Sequence, residues 1–223
     1  MYTIPYMKTA LFDLDGTLTD TREDLTLAVN LTRADYKLSP LEMNAVIACV
    51  GNGVKPLLDG CFDPMPASYE EILNCYKAHY AAHFLDNTIL YPGVEHTLNA
   101  LHDAGWTLGV VTNKPSVFAT PILEELGVAQ LFGVIIGGGD CDKLKPDPAL
   151  LYLAAERMGV TLDSDDWMIG DHITDLESGG KAGVRTCFCE FGMGESRGAH
   201  YDVAIGQMDA FLLHMDELQH KEI

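Results

Sequence analysis

Two aspartates one residue apart, Asp13 and Asp15, close an apolar run and precede Gly16 and Thr17. If the run Lys8–Leu14 is a strand, both carboxylates reach one concave site where the backbone leaves the sheet, and open α/β sheets bind ligands there. One carboxylate can be a nucleophile, because carboxylates form aspartyl-phosphate intermediates. The other can protonate a leaving oxygen, its proton affinity raised by the neighbouring charge and lowered by any nearby cation. Two acids this close repel a phosphate unless a metal is present. That implies Mg²⁺, a hard ion suited to carboxylate and phosphate oxygen. Taken alone, the pair also reads as a surface turn carrying two solvated acids.

Three further segments present chemistry at the ends of apolar runs. Val111-Thr112-Asn113-Lys114 offers a hydroxyl, an amide and backbone N–H groups where a helix begins, donors suited to a phosphoryl group. Lys143-Leu144-Lys145-Pro146-Asp147-Pro148 places lysines just ahead of a proline-started helix, where one can neutralise both phosphate and nucleophile. Trp167-Met168-Ile169-Gly170-Asp171 ends in an acid, with Asp175 four residues on, an arrangement that suits a metal ligand and its outer-sphere partner.

The elements that must carry these groups alternate. Strands are predicted over Lys8–Leu14, Trp106–Thr112, Gly133–Ile136, Asp166–Ile169 and Val184–Cys189, several of them continuously apolar as in a parallel sheet covered on both faces. Pro115 and Gly127 frame one intervening helix, Pro148 and Gly159 another, and a last helix is expected near Met208–Leu218 with Met208, Phe211, Leu212, Met215 and Leu218 on one stripe. This pattern predicts an α/β fold, a doubly wound parallel sheet with a Rossmann-like core. No strand pattern appears from 20 to 87. Ser39-Pro40-Leu41-Glu42 and Ser68-Tyr69-Glu70-Glu71 both have the capping-box form, so this stretch is expected to be an inserted helical domain on a core formed by 1–19 and 88–223.

Composition bounds the function. The chain has 223 residues, 33 Asp plus Glu against 14 Lys plus Arg, and a formal net charge of −19, too few cations to build a face for nucleic acid or an anionic membrane. A small anionic substrate stays open, because a few local cations and a metal overcome the wider field. No apolar run approaches the about 18 residues of a membrane-spanning helix, and the first eight residues lack the pattern of a secretory signal. The six cysteines are dispersed without a C-x-x-C pair, and Cys187 and Cys189 alternate onto one face as small hydrophobes. A reducing, cytoplasmic setting is expected.

Together, Asp13-x-Asp15-Gly16-Thr17, Thr112-Asn113, Lys145-Pro146 and Gly170-Asp171-x-x-x-Asp175 resemble the four ordered motifs of the haloacid dehalogenase superfamily. The resemblance spans essentially the whole chain. Val111-Thr112-Asn113-Lys114-Pro115 and Tyr91-Pro92-Gly93 are similar to its phosphoglycolate phosphatase-like branch, and the helical stretch after the first motif resembles that branch's cap. The resemblance implies that Asp13 is the nucleophile and a Mg²⁺ ligand. Asp15 would be the general acid and then base, its carbonyl also on the metal. Thr112 and Asn113 would hold phosphoryl oxygens, Lys145 would balance charge, Asp171 would ligate the metal and Asp175 would support its shell. Halide leaves without a proton, so the second acid argues for a phosphatase over a dehalogenase.

Val50-Gly51-Asn52-Gly53-Val54-Lys55 resembles the family's specificity loop, in which Gly51, Gly53 and Asn52 approach the ligand and Lys55 meets a substrate carboxylate such as that of phosphoglycolate. A closing cap favours small phosphomonoesters over phosphoproteins. His172, where many relatives carry a small hydroxyl residue, is expected to point to solvent. Gly137-Gly138-Gly139 reads as loop flexibility, since G-x-G-x-x-G is missing. His79 and His83 have a zinc-compatible spacing, but Tyr80 follows His79 and no third ligand is evident. Ile72, Tyr76, Tyr80 and Phe84 read as helix core. The rivals are a β-phosphoglucomutase-like mutase, a pyrophosphatase, a sugar-phosphate phosphatase, a phosphonatase and a non-catalytic ligand-binding module of the same fold.

Overall fold

The computed structural model describes residues 8–219. Its frame is a six-stranded sheet of β1 (Thr9–Phe12), β4 (Thr107–Pro115), β5 (Val134–Gly138), β6 (Trp167–Gly170), β7 (Arg185–Cys189) and β8 (Val203–Ile205), in the order β5-β4-β1-β6-β7-β8. Every pairing is parallel. The order steps outward both ways from β1, so β1 lies beside the point where the winding reverses. That juncture leaves a crevice at the strands' carboxyl ends.

Alternation along each strand divides its side chains between two layers. Ala10, Phe12, Leu108, Val110, Trp167 and Ile169 face one layer, closed by α5 (Val94–Asp103), α6 (Ser116–Glu125) and α9 (Ala210–Gln219). Leu11, Val111 and Met168 face the other, closed mainly by α7 (Ala149–Met158). Burial on both faces is why these runs are continuously apolar. Cys187 and Cys189 share the first layer, as their alternation implies. The last helix starts at Ala210, so Met208 packs there from just ahead of it, with Phe211 and Leu212 of α9, whereas the side chains of Met215 and Leu218 lie outside the described residues. The residues before Lys8, including those compared with a secretory signal, also lie outside them. No helix among the described residues is long and apolar enough to cross a membrane.

The insertion comprises α1 (Arg22–Asp35), α2 (Met43–Ile47), α3 (Val54–Cys61) and α4 (Tyr69–His83), around its own core of Leu25, Val29, Leu58, Phe62, Ile72 and Tyr76. It leaves and rejoins the sheet through a two-stranded antiparallel ribbon, β2 (Thr19–Asp20) with β3 (Ile89–Leu90), which is too short for alternation to show in the sequence. Asp24, fully buried in the first turn of α1, accepts from the backbone N–H groups of Asn87 and Thr88 and from the Thr88 hydroxyl at 2.8–3.1 Å. That carboxylate ties the outgoing and returning chains together.

Several local expectations change. Ser68 and Glu71 do form the reciprocal cap of α4, but Ser39 and Glu42 form no capping box, because α2 begins only at Met43, with Glu42 as a cap residue that makes no side-chain cap hydrogen bond. Pro115 is the cap residue before α6 rather than part of its first turn. Gly137 and Gly138 are the end of β5, not a flexible loop. A Cβ on Gly137 would come within 2.6 Å of the Lys114 carbonyl, so the glycine admits the neighbouring strand. His79 and His83 do not share a partner: His83 meets Asp86 at 2.8 Å and His79 meets Asp35 at 2.7 Å. Tyr80 packs edge-to-face on Phe118 of α6 at 4.9 Å between centroids, so the helical core meets the sheet domain through aromatic rings.

Candidate active site

The four strand ends converge at the crevice beside β1. Asp13 follows the last residue of β1, and its Oδ1 accepts from the Leu14 backbone N–H at 2.7 Å. Gly16 turns the chain at a φ of +87°, a conformation L residues avoid, and a Cβ there would lie 2.1 Å from Asp171 Oδ2. This glycine therefore makes the turn and lets the carboxylate that ends β6 approach the β1 turn.

Asp13, Asp171 and Asp175 are all buried, with carboxylate oxygens within 4.8 Å of one another. Burial pushes Asp171 up to about 8, helped by the charges of Asp175 and Asp13. Burial also carries Asp13 up to about 6, against the pull of Lys145. Three crowded carboxylates out of water cannot all ionise cheaply without a cation. An all-oxygen donor set of this charge fits Mg²⁺, the ion the motifs imply.

Lys145 is the buried counter-charge. It is 2% exposed, so its ammonium depends on protein partners. It donates to Asp175 Oδ1 at 2.6 Å and to the Val111 carbonyl at 2.7 Å, and lies 3.1 Å from Asp13 Oδ1. Burial alone would depress its pKa, but Asp13 and Asp175 carry it above the ordinary lysine value. Lys143, two residues earlier, is exposed and paired with Asp147. Asp175 Oδ2 accepts from the His172 backbone N–H at 3.0 Å, so this acid serves both Lys145 and the first turn of α8 (Ile173–Ala182).

Asp15 has different company. Both its oxygens lie 3.0–3.1 Å from Lys114 Nζ, and Oδ1 also accepts from the Thr21 hydroxyl at 2.8 Å. Lys114 in turn sits 4.7 Å from the centre of the Tyr80 ring. Its position in Thr112-Asn113-Lys114 was visible in the sequence, but its partner lies 99 residues away. The Thr112 hydroxyl bonds the Asp13 carboxylate. The Asn113 side-chain amide donates to the carbonyls of Gly51 and Lys145, both at 2.9 Å, and its Oδ1 accepts from the Lys145 N–H. The amide is thus engaged with protein, not free in the crevice.

The backbone N–H groups of Met193 and Gly194 donate to Asp171 Oδ2 at 2.9 and 2.8 Å, and the Thr17 hydroxyl donates to Oδ1 at 3.0 Å. The sequence marks this loop only by Gly192-Met193-Gly194, just beyond the strand expected over Val184–Cys189. His172 is not solvent-facing. It is 4% exposed, Nδ1 accepts from the Thr174 N–H to cap α8, and burial lowers its pKa. Of the insertion's loop, Gly51 and Gly53 line the crevice. Asn52 is exposed, and Lys55 is exposed too, held by Asp59 at 2.6 Å.

A family model described as haloacid dehalogenase-like hydrolase matches residues 10–189. The chain belongs to that family. Among curated members of the haloacid dehalogenase-like hydrolases, it is 34% identical over 190 residues to a phosphoglycolate phosphatase of Colwellia psychrerythraea, covering 82% of this chain and 84% of that one. It is 35% identical over 192 residues to an N-acetylmuramic acid 6-phosphate phosphatase of Pseudomonas aeruginosa, with 83% of each covered. Its fold is similar to the crystal structure of a predicted phosphoglycolate phosphatase from Haemophilus somnus, at a TM-score of 0.85 and 28% identity over 96% of this chain and 100% of that one. That similarity covers 96% of this chain, so it takes in the helical insertion as well as the sheet.

Proposed function

We propose that this family phosphatase hydrolyses a small phosphomonoester of the phosphoglycolate kind through an aspartyl-phosphate on Asp13. The supporting observation is the unlike company of two neighbouring carboxylates: Lys145, Thr112 and buried acids around Asp13, and Lys114 with Thr21 around Asp15. Environments that separate two acids assign them separate roles. The Asp13 carboxylate attacks phosphorus and the bond to the ester oxygen breaks. Asp15 gives that oxygen its proton, and the alcohol departs. Asp15 then takes a proton from water, whose oxygen attacks the phosphorus, freeing inorganic phosphate and restoring Asp13. Lys145 offsets charge on Asp13 throughout, and Lys114 aims Asp15. Asp13 and Asp171, with the Asp15 carbonyl and Asp175 in support, would hold Mg²⁺, which when bound offsets the charge of phosphate and carboxylates.

The substrate reading rests on the crevice walls. Lys77, an exposed residue of α4, is the insertion's cation among the lining residues, and Lys114 lines the sheet side. It is the group available for a substrate carboxylate. A second reading follows from the rest of that wall, where Ile47, Val50, Val54, Leu57 and Tyr76 face Phe118. Such a lining favours an ester whose alcohol has an apolar face, as in an acylated amino-sugar phosphate. The six free cysteines fit a reducing, cytoplasmic setting.

The test is phosphate release from 2-phosphoglycolate, N-acetylmuramic acid 6-phosphate, β-glucose 1-phosphate and pyrophosphate, with Mg²⁺ and with chelator, beside Asp13→Asn. Metal-dependent turnover abolished in the variant supports the mechanism, and the ranking of kcat/KM chooses the alcohol. Folded, Mg²⁺-loaded protein that releases no phosphate would sink it in favour of the mutase or binding module.

A further inference from the structure

On the helix that also lines the crevice, the insertion gathers a second set of metal-ligating groups. Cys75 and His79 stand one turn apart on α4, and Asp35 is the last residue of the neighbouring α1. Asp35 Oδ2 lies 2.7 Å from His79 Nε2 and 3.2 Å from Cys75 Sγ. One ligand atom from each of the three residues falls within a common 4.8 Å. The sequence points from His79 toward His83, but the helix pairing supplies a thiol and a carboxylate instead. Asp35 is exposed while Cys75 and His79 are half-buried, so one side stays open to water.

We propose that Asp35, Cys75 and His79 form a binding site for a borderline divalent cation of the Zn²⁺ type, with water as the fourth ligand, joining α1 to α4. Sulfur, imidazole nitrogen and carboxylate oxygen make a mixed donor set that Zn²⁺ accepts in tetrahedral geometry. Mg²⁺ and Ca²⁺ select oxygen and have little affinity for a thiol or imidazole. The two donor sets in this protein therefore sort cations: all-oxygen Asp13, Asp171 and Asp175 for Mg²⁺, and the mixed cluster for Zn²⁺. On binding, the Cys75 S–H bond breaks, its proton goes to solvent and a sulfur–metal bond forms. A neutral His79 shifts its proton from Nε2 to Nδ1 and donates the Nε2 lone pair, and Asp35 binds as the carboxylate. No redox change is involved. Burial and the adjacent Asp35 charge raise the Cys75 pKa, which keeps the thiol protonated until a cation takes the place of the proton.

The position gives the ion a consequence. The α4 helix also carries Tyr76 and Lys77 into the wall of the crevice, and α1 starts directly after the ribbon that connects the insertion to the sheet. A cation shared by α1 and α4 cross-links the helix pair that forms the insertion's frame.

The test uses the full chain under reducing conditions with Mg²⁺ in large excess, so that the oxygen site is filled. Zn²⁺ is titrated in competition with a chromogenic chelator, and Co²⁺ replaces it for spectroscopy. One tightly held equivalent of Zn²⁺ is expected, with a thiolate-to-cobalt charge-transfer band. Cys75→Ser should abolish the band, and both it and His79→Asn should weaken binding at least about tenfold. Asp171→Asn should leave binding unchanged, and circular dichroism should report all three variants folded. Failure to retain Zn²⁺ over Mg²⁺, retention indifferent to both cap substitutions, or loss in Asp171→Asn would each overturn the site. Because the readout is binding rather than turnover, it stands apart from whether the crevice hydrolyses phosphate.

Discussion

The Asn113 side-chain amide donates to the Gly51 carbonyl at 2.9 Å, joining the end of a sheet strand to a loop of the helical insertion. Gly51 holds a φ of +105°, and a Cβ there would come within 2.9 Å of the His172 ring. The loop thus closes over Asn113 and His172 on a glycine that has no room for a side chain. Replacing it sets backbone strain of about 1–2 kcal/mol against the closed contact. The chain can relieve that strain by opening the crevice without disturbing either core. Gly51→Ala is expected to lower kcat/KM about tenfold while shifting Tm by a few degrees at most. A large fall in Tm with intact kcat/KM would mean that the contact serves folding rather than closure.

Lys145 stands between Asp13 and Asp175 with its ammonium fully enclosed. Lys145→Met keeps most of the volume but leaves two buried carboxylates without their counter-charge. Removing one partner of such a group costs about 3–5 kcal/mol. Urea denaturation in chelator is expected to show a loss of that order, with Mg²⁺ restoring part of it. A loss below about 1 kcal/mol, as surface pairs give, would show that the cluster is not held by this lysine.

The acids also predict how metal stabilisation varies with pH. Asp171 is pushed up to about 8 and Asp13 to about 6, from an ordinary 3.8. Raised folded-state values mean that the native protein holds these protons more tightly than the unfolded chain. Their stabilising contribution is full below the unfolded value and is lost as pH rises through the folded ones. Mg²⁺ favours the ionised forms, so its stabilisation must grow over the same interval. The Tm difference between Mg²⁺ and chelator should be larger near pH 8 than near pH 5. The reverse order would contradict a carboxylate-bound metal.

Substrate recognition separates two lysines. Both are exposed, but Lys55 is paired with Asp59 whereas Lys77 is among the residues that line the crevice. Surface ion pairs contribute about 0–1 kcal/mol, so Lys55→Ala should leave KM for a carboxylated phosphomonoester within about twofold. Lys77→Ala should raise that KM by up to about tenfold and leave KM for an uncharged sugar phosphate unaltered. Equal effects on both substrates would remove Lys77 from carboxylate recognition.

Five of the six strands of the doubly wound sheet, and the strand ends that carry the candidate site, are legible in the sequence, whereas the three-residue β8 is too short to show. Both follow from local physics: apolar runs of strand length, proline and glycine at helix boundaries, and acids placed where a strand must stop. Asp13, Lys145, Asp171 and Asp175 were readable for that reason. The pairing of side chains across elements came from packing alone. Lys114 with Asp15, Asp24 with Asn87 and Thr88, and Asn113 with Gly51 span 62–99 residues. No periodicity within either partner's own segment reports such a bond. The burial of His172 and the meeting of Asp35 with Cys75 and His79 were hidden in the same way. Each side chain looks like an ordinary polar residue on its own helix until another element packs against it. Chain direction and hydrophobic pattern choose the elements, whereas their mutual docking removes water and leaves particular charges to find one another.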